Sequence, residues 1–258
     1  QRIEREGMAD RVLLLQAIGQ EVDRICIPAG RNAWEELVDP GLATSEVHAL
    51  RQQLVEGCGA SSQRQFSHVI LTHAHHDHMR GWMEFPGATV TFPRVAAEKG
   101  ATPRERILAA KAKFDERLDD PVDGFRYPEP DLTFDEVLHL KVGSLEIEQR
   151  FLPGHSNCTS IVWIPALKTL LSADYLVTPG MPYCRWQPRD FERAIETLTT
   201  WTLEEGIERI VPAHESILEG RDAILEALAA DILYEYVYMY VCLCMCTGMC
   251  TGMCICVS

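Results

Sequence analysis

The beginning of the chain alternates short apolar runs with polar or glycine-containing stretches. Three such short apolar runs lie at residues 12–15, 25–27 and 37–38. Because turn-forming residues separate them, the pattern predicts strands joined by turns. Asp39, Pro40 and Gly41 close the third run with a turn.

Strand-like and helix-like blocks alternate along the rest of the chain. Apolar runs predict strands over residues 68–72, 89–92, 137–140, 145–151, 160–164 and 169–171. Helical spacing of apolar residues, or a capping box, predicts helices over 45–56, after Thr102, over 188–203 and over 221–233. Residues 119–131 are rich in Asp, Pro and Gly and predict a loop. The pattern therefore predicts one α/β domain over residues 1–233.

The composition and net charge limit the kinds of molecule that the chain is expected to bind. Of the 258 residues, 47% are hydrophobic and 24% are charged, which is ordinary for a folded globular protein and excludes extended disorder. The formal net charge is -14, from 38 acidic and 24 basic side chains. Because such a chain repels phosphate groups, we expect a small-molecule substrate and neither a nucleic-acid nor a membrane partner.

The cysteines divide into two sets. Cys26, Cys58, Cys158 and Cys184 are scattered and form no CxxC pair, which predicts ordinary thiols in a reducing compartment and hence a cytoplasmic location. The other six lie among the last seventeen residues: Cys242, Cys244, Cys246, Cys250, Cys254 and Cys256. The chain begins at Gln1, so it is a candidate for truncation at the N-terminus.

Residues 234–258 form a low-complexity tail in which the unit Cys-Thr-Gly-Met occurs twice in tandem. A short DNA repeat would encode such a string, so we expect the tail to lie outside the fold. Two alternatives remain open. Residues 236–257 carry no charge and are long enough to span a membrane, and the cysteines would suit a metal-binding tract.

A cluster of histidines follows the apolar run at 68–72 directly. The string is Thr-His-Ala-His-His-Asp-His over residues 72–78, and two isolated histidines and an aspartate come later, each at the end of a predicted strand. Those later residues are His155, Asp174 and His214. Imidazole and carboxylate groups are suited to Zn and also to Fe or Mn. So many polar groups at strand ends predict a metal site, because burying them without partners is costly.

These motifs, taken in order, resemble those of the metallo-β-lactamase superfamily. The resemblance rests on the HxHxDH string, the Pro-Gly-His-Ser segment ending at Ser156, Asp174 and the late His214, and it covers residues 12–233. Residues 39–41 resemble the early DxG turn of the family. The resemblance implies a four-layer αββα sandwich whose metals lie where the strand-end loops meet.

The resemblance also implies two metal sites with no ligand position missing. It assigns His73, His75 and His155 to the first site, and Asp77, His78 and His214 to the second, with Asp174 bridging both. The intact set resembles the glyoxalase-II-like branch. It differs from the commonest true β-lactamases, which have a cysteine ligand, and from flavodiiron proteins, which have Glu at the position of His75. His76 receives no role.

The implied activity is that of a hydrolase with two divalent metals, expected to be zinc, in which a shared hydroxide cleaves a small ester, thioester or lactone. Asp77 would be both a ligand and the catalytic residue that orients the hydroxide or moves its proton. The alternatives are an Fe(II) persulfide dioxygenase-like oxidoreductase, a nuclease and a non-catalytic binding protein. Tyr183, Arg185 and Trp186 are candidates to contact substrate, and the insertion at 100–131 is expected to lie over the metals.

Overall fold

The structure is a computed structural model that describes residues 11–17, 23–28, 35–40, 44–45, 47–48, 68–98, 104–142, 145–177, 182, 184–214 and 216–246. Over residues 11–37, at residue 235 and over 238–246, the description covers the backbone alone. Within these ranges the chain forms two six-stranded sheets with helices packed against them.

The first sheet contains the N-terminal half of the chain. Its strands are β1 (Arg11–Ala17), β2 (Asp23–Pro28), β3 (Glu35–Pro40), β4 (His68–Ile70), β5 (Thr89–Pro93) and β6 (Leu132–Phe134), in the spatial order β2-β1-β3-β4-β5-β6. The strands from β1 across to β6 run parallel, and β2 pairs antiparallel with β1. The parallel arrangement brings the ends of β3 and β4 side by side.

The second sheet contains the C-terminal half. Its strands are β7 (Val137–Val142), β8 (Leu145–Phe151), β9 (Ser160–Ile164), β10 (Thr169–Ala173), β11 (Arg209–Pro212) and β12 (Leu218–Glu219), which neighbour one another in sequence order. All pairs are antiparallel except β10 and β11, which run parallel. The ends of β10 and β11 therefore also lie side by side.

Five α-helices have both of their ends within the described residues. They are α1 (His76–Met79), α2 (Arg94–Ala97), α3 (Arg104–Asp115), α4 (Pro188–Glu204) and α5 (Arg221–Cys246). Short 3-10 helices cover Arg80–Glu84 and Pro165–Leu167. Gln187 precedes α4 in an extended conformation and Pro188 occupies the first turn, where a missing backbone N–H costs nothing.

Three hydrophobic cores define the layers. Successive residues of a strand point to opposite faces, so Val69 of β4 joins a core with the helices on the first sheet, while Ile70 joins the core between the sheets. Likewise Val162 of β9 faces the first sheet, and Trp163 packs with residues of α4 and α5. The order is helices, sheet, sheet, helices, and the predicted αββα sandwich is confirmed.

Most of the predicted elements are present. The strands predicted from the apolar runs are present, whereas no range was predicted for β6, β11 and β12. Residues 119–131 are loop except for a single bridging residue at Pro121. Of the helix predicted over 45–56, residues 44–45 and 47–48 are helical and the others lie outside the described residues, as do Thr102 and Pro103 of the capping box.

The last helix differs from its prediction. It was expected to end at residue 233, but α5 continues to Cys246, so residues 234–246 of the predicted tail extend a helix of the fold. Tyr236 donates a hydrogen bond to Glu192 of α4 and so attaches this extension to its neighbour. Among the described residues, no helix combines the length and the apolar character that crossing a membrane requires.

Candidate metal centre

The seven predicted ligands lie in loops and in one short helix that follow the ends of strands. His73 and His75 follow β4, and the next residues begin α1, which carries Asp77 and His78. Asp174 follows β10 directly, His214 follows β11, and His155 lies in the loop after β8. The fold therefore brings together residues that are 141 positions apart in the chain, in two groups of side chains that can hold a metal ion.

The first group consists of His73, His75, His155 and Asp174. Nδ1 of His75 lies 3.0 Å from Nε2 of His73 and 2.9 Å from Nε2 of His155. Oδ2 of Asp174 lies 3.1 Å from Nε2 of His155 and 3.8 Å from that of His73. Three imidazole nitrogens and one carboxylate oxygen thus converge, which is a donor set that suits a tetrahedral divalent metal.

The second group consists of Asp77, His78 and His214. Oδ2 of Asp77 lies 3.4 Å from Nε2 of His214 and 3.8 Å from Nε2 of His78. The other carboxylate oxygen of Asp174, Oδ1, lies 3.0 Å from Nε2 of His78 and 3.6 Å from Nε2 of His214. Asp174 therefore directs one oxygen to each group, which is the placement expected of a bridging carboxylate.

Two buried atoms indicate that a cation fits here. Nε2 of His78 and Oδ1 of Asp174 are buried and close together, yet within the described residues neither makes a hydrogen bond of acceptable geometry. Buried polar atoms without partners are rare and costly in folded proteins. A metal ion between them would satisfy both, so the His and Asp groups fit a divalent metal site.

Asp39, which was predicted only as part of a turn, orients two of the imidazoles, one directly and one through Thr72. Asp39 is fully buried, and Oδ2 lies 2.9 Å from Nδ1 of His78. The same oxygen accepts a hydrogen bond from the hydroxyl of Thr72 at 2.7 Å, and Oδ1 accepts one from its backbone N–H. Because that hydroxyl proton points to Asp39, Thr72 Oγ1 accepts from Nδ1 of His73 at 3.0 Å. Both imidazoles are thereby left with Nε2 lone pairs directed into the cluster.

The backbone around Asp39 is tightly constrained. Asp39 itself has a φ of 48°, in the left-handed region that Asp tolerates better than most residues. A side chain at Gly81 would place its Cβ 1.6 Å from the carbonyl oxygen of Pro40. Glycine at this position lets the 3-10 helix after α1 approach the turn closely, which brings His78 within reach of Asp39. The signal in the sequence was the Asp-Pro-Gly string at residues 39–41, which we interpreted as a turn resembling the DxG turn and to which we assigned no contact with the ligands.

His155 is held by a different partner. Its backbone N–H donates to the hydroxyl of Tyr175 at 3.1 Å, and this hydroxyl donates to the carbonyl of Leu152 at 2.7 Å. Tyr175 is fully buried and follows Asp174 directly. Residues 174–175 therefore supply one candidate ligand, Asp174, and also the hydroxyl group that fixes the loop of a second candidate ligand, His155. Burial raises the pKa of Tyr175 far above its ordinary value, so the phenol stays protonated.

The surroundings keep two of the imidazoles neutral. Burial lowers the pKa of His73 well below its ordinary value, and the nearby His78 and His75 lower it further. Burial, together with His155, lowers the pKa of His75 to about 3. A neutral imidazole is the form that binds a metal, so these two residues are prepared for coordination at neutral pH.

The carboxylates are held in their charged form. Burial alone raises the pKa of Asp77, but His78 and a hydrogen bond from His214 outweigh it and hold the pKa well below its ordinary value. Burial is likewise outweighed at Asp174, whose pKa His78 and His155 lower. Burial lowers the pKa of His78, yet the surrounding carboxylates, led by Asp174, raise it well above its ordinary value. The cluster thus favours a positive charge beside Nε2 of His78.

Comparison with known families agrees with this geometry. Residues 37–214, more than half of the chain, match the model of the metallo-beta-lactamase superfamily. The chain belongs to the metallo-beta-lactamase superfamily. This finding confirms the resemblance predicted from the motifs, at the level of the superfamily. No curated protein matches the sequence.

Solved structures with the same fold are distant in sequence. A metallo-beta-lactamase family protein from Thermus thermophilus is 20% identical, with a TM-score of 0.65 over 90% of this chain and 81% of its own. A metallo-beta-lactamase from Pontibacter korlensis is 19% identical, with a TM-score of 0.53 over 80% of this chain and 89% of its own. A stereoselective inverting sec-alkylsulfatase from Pseudomonas sp. is 14% identical, with a TM-score of 0.60, and the match covers 83% of this chain but 39% of the sulfatase. At these identities the similarity shows the fold alone.

The residues predicted to contact substrate lie in a segment that is hydrogen-bonded to the candidate ligand His155. The backbone N–H of Arg185 donates to the carbonyl of His155 at 2.9 Å. Trp186 is about half exposed, and its indole N–H donates to Asp190 at 3.0 Å. Tyr183 lies outside the described residues. Contact of Arg185 and Trp186 with substrate stays a prediction.

The predicted insertion packs against the helix that carries two candidate ligands. Within it, Asp115 at the end of α3 accepts a hydrogen bond from Arg80 at 2.8 Å, just after α1. Arg80 is fully buried, and its guanidinium lies 5.1 Å from the centre of the Phe114 ring. The insertion thus lies beside α1 and is fixed there by a partly buried ion pair.

Proposed function

We propose that this chain is a hydrolase that uses two divalent metals, expected to be zinc, to cleave a small ester, thioester or lactone. The observation that carries the proposal is the placement of Asp174, whose two oxygens face two separate groups of nitrogen and oxygen donors. A carboxylate in this position can bridge a pair of metals, and paired metals are typical of hydrolytic centres. Iron or manganese would fit the same donors.

The ligand assignment follows the two groups. His73, His75 and His155 would hold one metal, Asp77, His78 and His214 the other, and Asp174 would contact both. Such metals supply Lewis acidity and lower the pKa of a water molecule toward neutrality. Asp39 and Thr72 orient His78 and His73, so the Nε2 atoms of these two residues would be available to bind metal without reorganisation.

The open side of the cluster is where we place the substrate. The side chains of Asp77 and His214 are each 25% exposed, whereas those of His73, His78 and His155 are almost completely buried. Substrate would therefore approach over Asp77 and His214. We propose that Asp77 orients the attacking water through one carboxylate oxygen and accepts its proton.

A small, uncharged acyl compound suits this chain better than a polyanion. The formal net charge of -14 opposes long-range attraction of nucleic acid. An acyl substrate would also offer a carbonyl carbon to the water that Asp77 is proposed to orient. No serine or cysteine nucleophile is required for this chemistry. Cys158 and Ser156 follow His155 closely, but both are buried and contact each other, so we assign them no catalytic part.

Turnover of a panel of esters, thioesters and lactones by the zinc-loaded full chain tests the proposal. We expect Asp174→Ala and His73→Ala to abolish turnover, because each removes a ligand. His139→Ala is the matched control, since that histidine lies on β7 with 75% of its side chain exposed, and it should retain full activity. Unchanged turnover in both ligand variants would refute the proposal. Oxygen consumption by iron-loaded protein with a persulfide would favour the oxygenase alternative instead.

A further inference from the structure

His76 is the one histidine of the cluster that the ligand groups leave out. It lies between His75 and Asp77 in the chain and is the first residue of α1. Its Nδ1 lies 3.9 Å from Oδ1 of Asp77, the oxygen that does not face the second metal group. The side chain is 16% exposed and so reaches the surface from the edge of the centre.

A buried arginine fixes the orientation of this imidazole. Nε and Nη2 of Arg80 lie 3.2 and 3.0 Å from Nδ1 of His76. A guanidinium group has only donors, so Nδ1 must accept and carries no proton. The proton of the imidazole is therefore on Nε2.

Several packed and hydrogen-bonded side chains surround the imidazole ring of His76. Arg80 is completely buried, and its remaining terminal nitrogen, Nη1, donates to Asp115 at 2.8 Å. Phe114 of α3 packs on both groups, with its ring centre 5.4 Å from that of His76 and 5.1 Å from the guanidinium. Asp115 also accepts a hydrogen bond from Nζ of Lys111, which lies four residues earlier in α3. These contacts hold the ring in one position, so an Nε2–H group there is oriented in advance of binding.

The Nε2–H group itself makes no hydrogen bond within the described part of the chain, and the side chain that carries it is 16% exposed. We propose that His76 donates a hydrogen bond from Nε2 to an oxygen of the substrate, beside the metal centre and on the side of Asp77. This inference rests on the proposed hydrolase activity and deepens it. It names His76 as a further group that contacts the substrate, with Arg80 as its positioning residue, and it requires a substrate with an acceptor oxygen, such as a carbonyl or a carboxylate.

The tautomer can be measured without any turnover. In a two-bond proton–nitrogen spectrum of the nitrogen-15-labelled full chain, His76 is assigned as the signal that disappears in His76→Gln. We expect the pattern of a neutral ring protonated at Nε2. A ring protonated at Nδ1 would overturn the proposal, because Arg80 could not then donate to it.

Binding is tested with acetate, the carboxylate product of an acetate ester. Added to the zinc-loaded chain, acetate should shift the Nε2 signal of His76. A His76 signal that stays unchanged while those of the ligand histidines move would contradict the proposal. This readout holds even if no ester on the panel is cleaved, so failure of the donor and failure of the hydrolase proposal are distinguishable.

Kinetics then separates a donor from a structural residue. His76→Leu should lower kcat/KM about tenfold, the usual effect of one lost hydrogen bond, while His76→Gln, which keeps an N–H donor, should restore most of it. Zinc content should match wild type in both variants. Loss of zinc in His76→Leu would make His76 a ligand, and unchanged kcat/KM would leave it without contact to substrate. Either result overturns the proposal.

Discussion

Oδ2 of Asp39 lies 2.9 Å from Nδ1 of His78, and both side chains are completely buried. The carboxylate fixes the proton of His78 on Nδ1 and directs Nε2 to the candidate metal position. Through Thr72 it also orients His73, which belongs to the other metal group. One residue on β3 therefore aligns ligands of both proposed metals.

Replacing Asp39 should weaken metal binding without removing a ligand. In Asp39→Asn the amide can donate to Nδ1 of His78, which favours the wrong tautomer, and we expect zinc affinity to fall by about 10- to 100-fold. Competition with a chromophoric chelator measures this. Asp135→Asn, in which an exposed ion pair with Arg94 is lost, is the control and should bind zinc like wild type. Equal affinity in the two variants would mean that Asp39 does not set the ligand geometry.

The close approach at Gly81 should make this position intolerant of any side chain. A Cβ there would overlap the carbonyl oxygen of Pro40 and contact Val47 at 2.8 Å, so Gly81→Ala should cost about 3 kcal/mol or more in the free energy of unfolding. Gly206→Ala is the comparison, because nothing lies within 4 Å of its Cβ and only its φ of 72° opposes the substitution. We expect about 1 kcal/mol there. Equal losses in urea unfolding would show that the turn can move aside.

A buried glutamine joins the two sheets. Nε2 of Gln149, on β8, donates to the carbonyl of Leu71 at 2.9 Å, and Oε1 accepts from the hydroxyl of Thr91 at 2.7 Å. Gln149→Leu would leave these groups without a partner and should lower the free energy of unfolding by about 1–3 kcal/mol. The exposed Gln187 offers a control, since Gln187→Leu should change stability by less than about 0.5 kcal/mol. A stable Gln149→Leu protein would mean that packing alone joins the sheets.

Tyr175 should contribute through its hydroxyl as well as its ring. Tyr175→Phe keeps the ring but removes the group between the His155 N–H and the Leu152 carbonyl, and we expect a loss of about 1–3 kcal/mol in thermal or urea unfolding. Tyr236→Phe removes an exposed hydroxyl bound to Glu192 and should change stability by less than about 0.5 kcal/mol. If the two variants were equally stable, the bonds of Tyr175 would not matter for the loop of His155.

Most of the strands follow from the apolar pattern, and the structure brings the predicted ligand positions close together, while their roles as metal ligands stay a prediction. Strands such as β4 and β9 are apolar runs bounded by turns, and strand ends in a layered α/β fold meet at one edge, so His73 and Asp174 had to approach each other. The roles of Asp39 and Gln149 were not predictable, because Thr72, Thr91 and Leu71, to which they bond, lie 33 or more residues away and no local pattern records these pairs.

The end of the last helix was predicted at residue 233, too early by thirteen residues. The periodicity of apolar residues stops being informative from residue 236 on, where no side chain is charged, so nothing in the pattern signalled that α5 continues to Cys246. The division into a domain over 1–233 and a separate tail stays a prediction, as do the glyoxalase-II-like branch, the cytoplasmic location and the identity of the metal.

The central claim is that seven residues hold two metals, and elemental analysis of the zinc-loaded full chain tests it most directly. We predict about two zinc ions per chain in wild type and in His139→Ala, and about one in His155→Ala and in His214→Ala, because each of the latter loses a ligand from a different group. One zinc or none in the wild-type chain, or two retained in both ligand variants, would contradict the account.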